Sequence, residues 1–160
     1  HFDLVNRKLG EQGIERYEVS NYSLPGREAI HNSRYWQHEN YLGLGPGAHS
    51  FWWSGNTGVR WEHERNLRAY LQDKETRTPK EELNLEQMAE ERLLMGLRTR
   101  EGIALEELNH RYQYQLNDRQ RSYLSRRQKE EKLVFDDGIA LTDKGIKIAD
   151  AIILDLVTLH

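Results

Sequence analysis

The sequence predicts an α+β chain in two unlike parts: the closing elements of a larger barrel, then a small helical domain whose elements follow winged-helix order. Three observations predict it. Residues 1–70 hold eleven of the fifteen aromatic residues, all four tryptophans and eight of the twelve glycines, whereas the remainder is charged. Apolar residues after residue 84 recur at helical spacing behind two cap signatures. The first part, finally, offers too few strands and helices to cover its aromatic surface on both sides of a parallel-type sheet.

In order along the chain, a helix is expected over about 2–12, ending at Gly13. IERYEVSNY (14–22) reads as a strand running into a loop marked by Pro25 and Gly26, and a second strand runs through Tyr41 to Leu44. AHSFWW and TGVRWE flank Ser54-Gly55-Asn56 as a hairpin, and EHERNLRAYLQ closes the part as a helix. The polar stretch 73–83, with Pro79 disfavouring helix at Thr78, is expected to link residues 1–72 to 84–160.

Asn84 with Gln87 makes a capping box, and Leu85, Met88, Ala89, Leu93 and Leu97 then share one helical face, predicting a helix over 85–98. A short strand follows near Ile103. Leu105, Leu108 and Tyr112 predict a second helix, and Asn117 with Gln120 caps a third that reaches about residue 130. KLVFDDGIALT folds as a hairpin around Asp137-Gly138, a pair that tolerates positive φ. Thr142 then caps a final helix carrying Ile146, Ala149, Ile152, Ile153 and Leu156.

Composition excludes several classes of function. With 37% hydrophobic and 31% charged residues, the chain has no run near the roughly 20 apolar residues of a spanning helix, and Asp155 breaks its most apolar stretch. The net charge of −3 is no polycation for nucleic acid. The absence of cysteine removes disulfides, thiolate nucleophiles and iron–sulfur ligation within this chain. His1 stands first and the opening residues match no secretion or transit signal, so the sequence reads as the interior of a longer protein.

Two short motifs carry chemistry. GLGPGAHS (43–50) spaces three glycines at alternate positions, either as tight turns or as a backbone cradle for a ligand. Its spacing is not the dinucleotide fingerprint. HNSRYW (31–36) sets an imidazole, an amide, a phenol and an indole within six residues. Such a set ligates haem iron through His31, orients a propionate through Asn32 and stacks a porphyrin on Tyr35 or Trp36, or else Tyr35 and Trp36 are simply core. His38, His49 and His63 lack metal-ligand spacing, and Glu18, Glu39, Glu62 and Glu64 are too dispersed to pair. The third helix carries Arg119, Arg121, Arg126, Arg127, Lys129 and Lys132 against Asp118, Glu130 and Glu131, which fits either a DNA-reading helix or a solvated face. Asp136 and Asp137 in the wing repel phosphate and count against DNA.

YEVSNY (17–22), PG (25–26), HNSRYW (31–36) and YLGLGPGAHSF (41–51), in this order, resemble the HemW branch of the HemN-like radical SAM family, the oxygen-independent coproporphyrinogen III oxidase-like haem chaperones. The resemblance covers essentially the whole chain. It implies the C-terminal end of an incomplete TIM-type (β/α) barrel over 1–72 and a winged-helix-like domain over 84–160. It also implies a whole protein that binds a 4Fe–4S cluster through an upstream CxxxCxxC motif, together with S-adenosylmethionine and haem, and that passes haem to acceptor haemoproteins.

By the same resemblance, Leu44, Gly45, Gly47 and Ala48 lie near S-adenosylmethionine. Glu18, Ser20 and Asn21 line the barrel cavity, and His31, Asn32, Tyr35 and Trp36 form the haem-associated group. The departure is complete at the cluster: with no cysteine the chain holds none, and it is expected to be inactive alone, with no catalytic residue and no metal ligand assigned. Two other readings stand beside this one, oxidative decarboxylation of coproporphyrinogen III, which the HNxxYW signature disfavours, and a nucleic-acid-binding module. Membrane association is expected through partners only, and a severed barrel exposes edges that favour self-association.

Overall fold

A computed structural model describes residues 2–72 and 80–159 as a mixed α/β fold with three small sheets. Helix α1 (Phe2–Gly10) is followed by a turn in which Gly13 takes φ 73°. The strand expected over 14–22 is instead two short strands, β1 (Glu15–Arg16) and β2 (Tyr22–Ser23), paired antiparallel with Arg16 opposite Tyr22. The reversal comes from within the motif. Ser20 N–H donates to Glu18 Oε1 at 3.1 Å and Tyr17 N–H to the Asn21 carbonyl at 3.1 Å, so side chain and backbone together close a turn.

HNSRYW forms most of α2 (Ile30–Trp36). The strand expected from Tyr41 to Leu44 contracts to one bridge, in which Tyr41 and Phe51 exchange both backbone hydrogen bonds at 2.9 and 3.0 Å. Glycine chemistry ends it. Gly43 passes so near the chain that a Cβ there would stand 2.2 Å from the His49 carbonyl oxygen, and Gly45 and Gly47 take φ 108° and 68°, which no strand accommodates.

The first hairpin forms as expected, β3 (His49–Ser54) against β4 (Thr57–Glu62), with Gly55 at φ 63° in its turn. Helix α3 (Leu67–Gln72) starts late because the Asn66 side chain caps it, accepting from the N–H groups of Arg68 and Ala69 at 3.0 and 3.2 Å. Of the expected linker, residues 73–79, Pro79 included, lie outside the described residues. Glu81–Leu83 form β5, which pairs with β4 and buries Leu83.

Helix α4 (Leu85–Gly96) opens on the Asn84/Gln87 capping box with both of its bonds present. Strand β6 (Ile103–Ala104) leads into α5 (Leu105–Tyr112), which Gln113 ends in the left-handed region. The second capping box, Asn117/Gln120, opens α6 (Asp118–Lys129). Then β7 (Leu133–Phe135) and β8 (Gly138–Leu141) make the second hairpin, in a sheet of order β6-β8-β7.

Gly138 does not take positive φ in that turn. Its use is space: a Cβ there would meet the Ile103 carbonyl oxygen at 2.8 Å, so glycine is what lets β6 join the hairpin. Thr142 Oγ1 accepts from the N–H groups of Lys144 and Gly145 at 3.2 Å each. The expected final helix divides into a 3-10 turn (Ile146–Ile148) and α7 (Ala149–Thr158), broken where Ile148 adopts φ −129°.

The core lies mainly in the second part, where Met88, Leu93, Leu108, Leu124, Ile139 and Ile152 are buried. It extends to the first hairpin because Gly58 leaves room. A Cβ on Gly58 would stand 2.5 Å from Met88 Sδ and 2.7 Å from the Phe51 ring, so the sheet lies directly on α4.

Candidate functional site

Helix α2 carries His31, Asn32, Tyr35 and Trp36, the residues the resemblance associates with haem. His31 and Asn32 are exposed, Tyr35 and Trp36 are half-buried, and the helix has no fully buried residue. His31 and Tyr35 lie one turn apart on one face, with Tyr35 Oη 3.0 Å from His31 Nε2 and the rings edge to face at 5.0 Å. Where Nε2–H donates to the phenol oxygen, Nδ1 keeps the lone pair that a metal takes, the usual arrangement in which a second residue orients a ligating imidazole. Asn32 and Trp36, also one turn apart, face elsewhere on the helix. Trp36 lines a small cleft with Tyr17, Ser33, Arg92 and Thr99.

Behind Tyr35 the rings continue inward. Tyr35 packs on Tyr41 at 4.5 Å, Tyr41 lies 6.3 Å from Phe51, and Phe51 stacks on His38 at 4.4 Å. His38 is 3% exposed, sits at φ 55°, and has its Nδ1 3.1 Å from the Tyr112 hydroxyl of α5. Burial, with Arg111, Arg92 and Arg60 nearby, lowers its pKa to about 4, so the ring is neutral at pH 7. The same burial raises the Tyr112 phenol well above its ordinary range. Trp53 Nε1–H donates to the His38 carbonyl at 3.0 Å.

Sequence reasoning missed the importance of His38, Arg92, Arg111 and Tyr112. One signal was available. Arg92 lies on the inward face of α4 between Met88, Ala89, Leu93 and Gly96, where a charged residue needs a built partner. It has one, since its guanidinium makes two bonds to the Glu107 carboxylate, at 2.7 and 2.9 Å.

The glycine-rich stretch adjoins this group through Tyr41, but its backbone is largely engaged. Gly43 N–H donates to Ser50 Oγ at 3.0 Å, Gly47 N–H to the Glu64 carbonyl at 3.1 Å and Ala48 N–H to the Gly45 carbonyl at 3.2 Å. Leu44 is 82% exposed. Gly45 and Gly47 sit at positive φ, and Gly43 passes close to the His49 carbonyl. Glu18 is buried in an antiparallel bridge with Thr99, whereas Ser20 and Asn21 are exposed in the turn beside it. No group of three or more histidine, cysteine, aspartate or glutamate side chains that could hold a metal occurs among the described residues, and with no thiolate the chain does not fit an iron–sulfur cluster. No helix among the described residues is long and apolar enough to cross a membrane.

Residues 83–148 match the HemN C-terminal domain. The heme chaperone HemW of Lactococcus lactis is 30% identical over 153 residues, an alignment that covers 93% of this chain and 39% of that protein. The mitochondrial radical S-adenosyl methionine domain-containing protein 1 of Danio rerio is 39% identical over 105 residues, covering 61% of this chain and 24% of its own length. Among solved structures, coproporphyrinogen III oxidase (HemN) from Escherichia coli, described as a radical SAM enzyme, superposes with a TM-score of 0.68 over 99% of this chain and 40% of that one. At 15% identity this is a likeness of fold.

Proposed function

The chain is a HemW-like, HemN-related member of the radical SAM family that spans about two fifths of the length of the Lactococcus lactis HemW and of the Escherichia coli HemN chain, and from this we propose that it supplies a haem-contacting surface of a haem chaperone. In that reading, residues 1–72 are closing elements of an incomplete TIM-type barrel and 84–160 a winged-helix-like domain. The whole protein binds a 4Fe–4S cluster, S-adenosylmethionine and haem in the cytoplasm and passes haem to acceptor haemoproteins. Haem is the cargo.

The observation that carries the reading is the His31–Tyr35 pair on α2, with His31 exposed and Tyr35 half-buried behind it. Its imidazole is reachable, oriented by one hydrogen bond, and backed by Tyr35 and Tyr41, whose rings pack edge to face and give apolar surface for a macrocycle to lie against. Nucleic-acid binding is not favoured. Arg127 of α6 is committed to Glu130 and Asp155 at 3.0 and 3.1 Å and Lys132 to Glu130 at 2.7 Å, so both cations already have carboxylate partners.

Titration with haemin, followed by the Soret band, tests this. His31→Ala is expected to shift the band and weaken binding about tenfold, the equivalent of one coordination or hydrogen bond of ordinary strength. Coincident spectra and affinities in the two proteins would remove His31 as a ligand and the reading with it.

A further inference from the structure

Resting on the haem-contact reading of α2, we propose that Arg92 and Arg111 are positioning residues that hold the His31–Tyr35 helix in a fixed tilt and rotation, so that the HemN C-terminal domain governs how the surface grips a tetrapyrrole. The argument starts from the weakness of the helix. At seven residues, with no buried side chain and no side-chain N-cap, α2 is far shorter than the roughly 12 to 15 residues an isolated helix needs. Something outside must hold it.

What holds it is its C-terminal end, where a helix leaves carbonyl groups unpartnered and carries partial negative charge. Arg92 Nη1 donates to the Trp36 carbonyl at 3.1 Å, Arg111 Nη1 to the Gln37 carbonyl at 3.1 Å and Arg111 Nη2 to the His38 carbonyl at 2.9 Å. Three consecutive carbonyls are therefore bound by two cations from α4 and α5. Each cation is itself fixed. Arg92 is buried with its fork on Glu107, and Arg111 lies 4.7 Å over the Trp53 ring and 3.6 Å from the same Glu107 carboxylate.

The left-handed backbone at His38, with its ring pinned between Phe51 and Tyr112, prevents the end from unwinding. His31 lies five residues from this anchor, about 7 Å along the axis, so a tilt of roughly 10° moves its ring by over 1 Å. A ligating group does not tolerate that displacement well.

The test uses the 160-residue chain with Arg111→Gln, Arg111→Lys and Arg92→Lys, read by amide hydrogen exchange without haem and by haemin titration. Lysine keeps the charge but not the fork that reaches two carbonyls, so Arg111→Lys is expected to behave like Arg111→Gln. In each variant the α2 amides should exchange about tenfold faster or more, α6 and α7 should stay protected, and the His31-dependent haemin affinity should fall severalfold. Unchanged α2 exchange with a His31-dependent Soret band overturns the clamp and leaves the haem reading standing. Faster α2 exchange with a Soret band indifferent to His31→Ala overturns the haem reading and leaves the clamp. Faster exchange with an unmoved His31-dependent affinity, or loss of protection spread through α6 and α7, overturns the positioning role.

Discussion

His38 shows how one residue serves the site without touching solvent. Its ring is stacked on Phe51, bonded to the Tyr112 hydroxyl, 3.7 Å from the Glu91 carboxylate by Nε2, and faced by Arg92, Arg111 and Arg60. A histidine with a pKa of about 4 when folded, against 6.5 when exposed, takes up its proton more readily unfolded. Stability from the neutral ring is therefore complete above about pH 6.5 and is lost as the pH falls toward 4, a loss of order 3 kcal/mol across the window. Burial also raises the Glu91 pKa, which acts with the opposite sign. Urea unfolding from about pH 7 to pH 5 should show a falling midpoint in the native chain and a much flatter one in His38→Gln, which keeps a partner for Tyr112 and gains no proton. Equal slopes in both would assign the pH dependence elsewhere. None of this was legible in the sequence, because burial of His38 depends on Tyr112, seventy-four residues away.

At the scale of elements, local signals read well where they are complete and fail where tertiary contacts decide. Both asparagine capping boxes formed, since their bonds lie within four residues of chain. The two boxes are not equal. Among the described residues the Asn84 side chain makes only the local exchange with Gln87, whereas Asn117 Nδ2 also donates to the Leu159 carbonyl at 2.9 Å, tying α6 to the end of α7. Asn84→Ala is expected to cost about 1 kcal/mol and Asn117→Ala about twice that, measured by thermal unfolding. Equal losses would show that the Leu159 bond contributes nothing net. The expected strands at 14–22 and 41–44 failed for the opposite reason. Their residues have strand propensity, but Glu18 and Ser20 close a turn and Gly43 to Gly47 cross another segment. Of the candidate site, the face shared by His31 and Tyr35 followed from their spacing of four once the segment was helical. The arginines at its end did not, because no spacing links residue 36 to residues 92 and 111.

For the whole molecule, the boundary in composition near residue 72 is not a boundary in packing. Strand β5 follows it in sequence yet completes the sheet of the first part, and α4 lies under Gly58 and Phe51 of that sheet. Glu18 bridges to Thr99, Arg100 N–H donates to the Tyr17 carbonyl at 3.0 Å, and buried Arg16 reaches Asp143 at 3.2 Å. Contacts of this kind predict that the two parts unfold together. The chain carries its own reporters for this. All four tryptophans lie in residues 1–70, whereas α4 to α7 contain most of the helix. Tryptophan fluorescence therefore follows the first part and far-ultraviolet dichroism mainly the second. Urea transitions by the two probes should coincide, and Leu83→Ala, which empties a fully buried position on the strand joining them, should lower both midpoints together by the equivalent of about 3 kcal/mol. A fluorescence transition that comes first, with dichroism unmoved by Leu83→Ala, would show that the α2 surface is held by less than the whole molecule, and the clamp at Arg92 and Arg111 would then have to hold that surface alone.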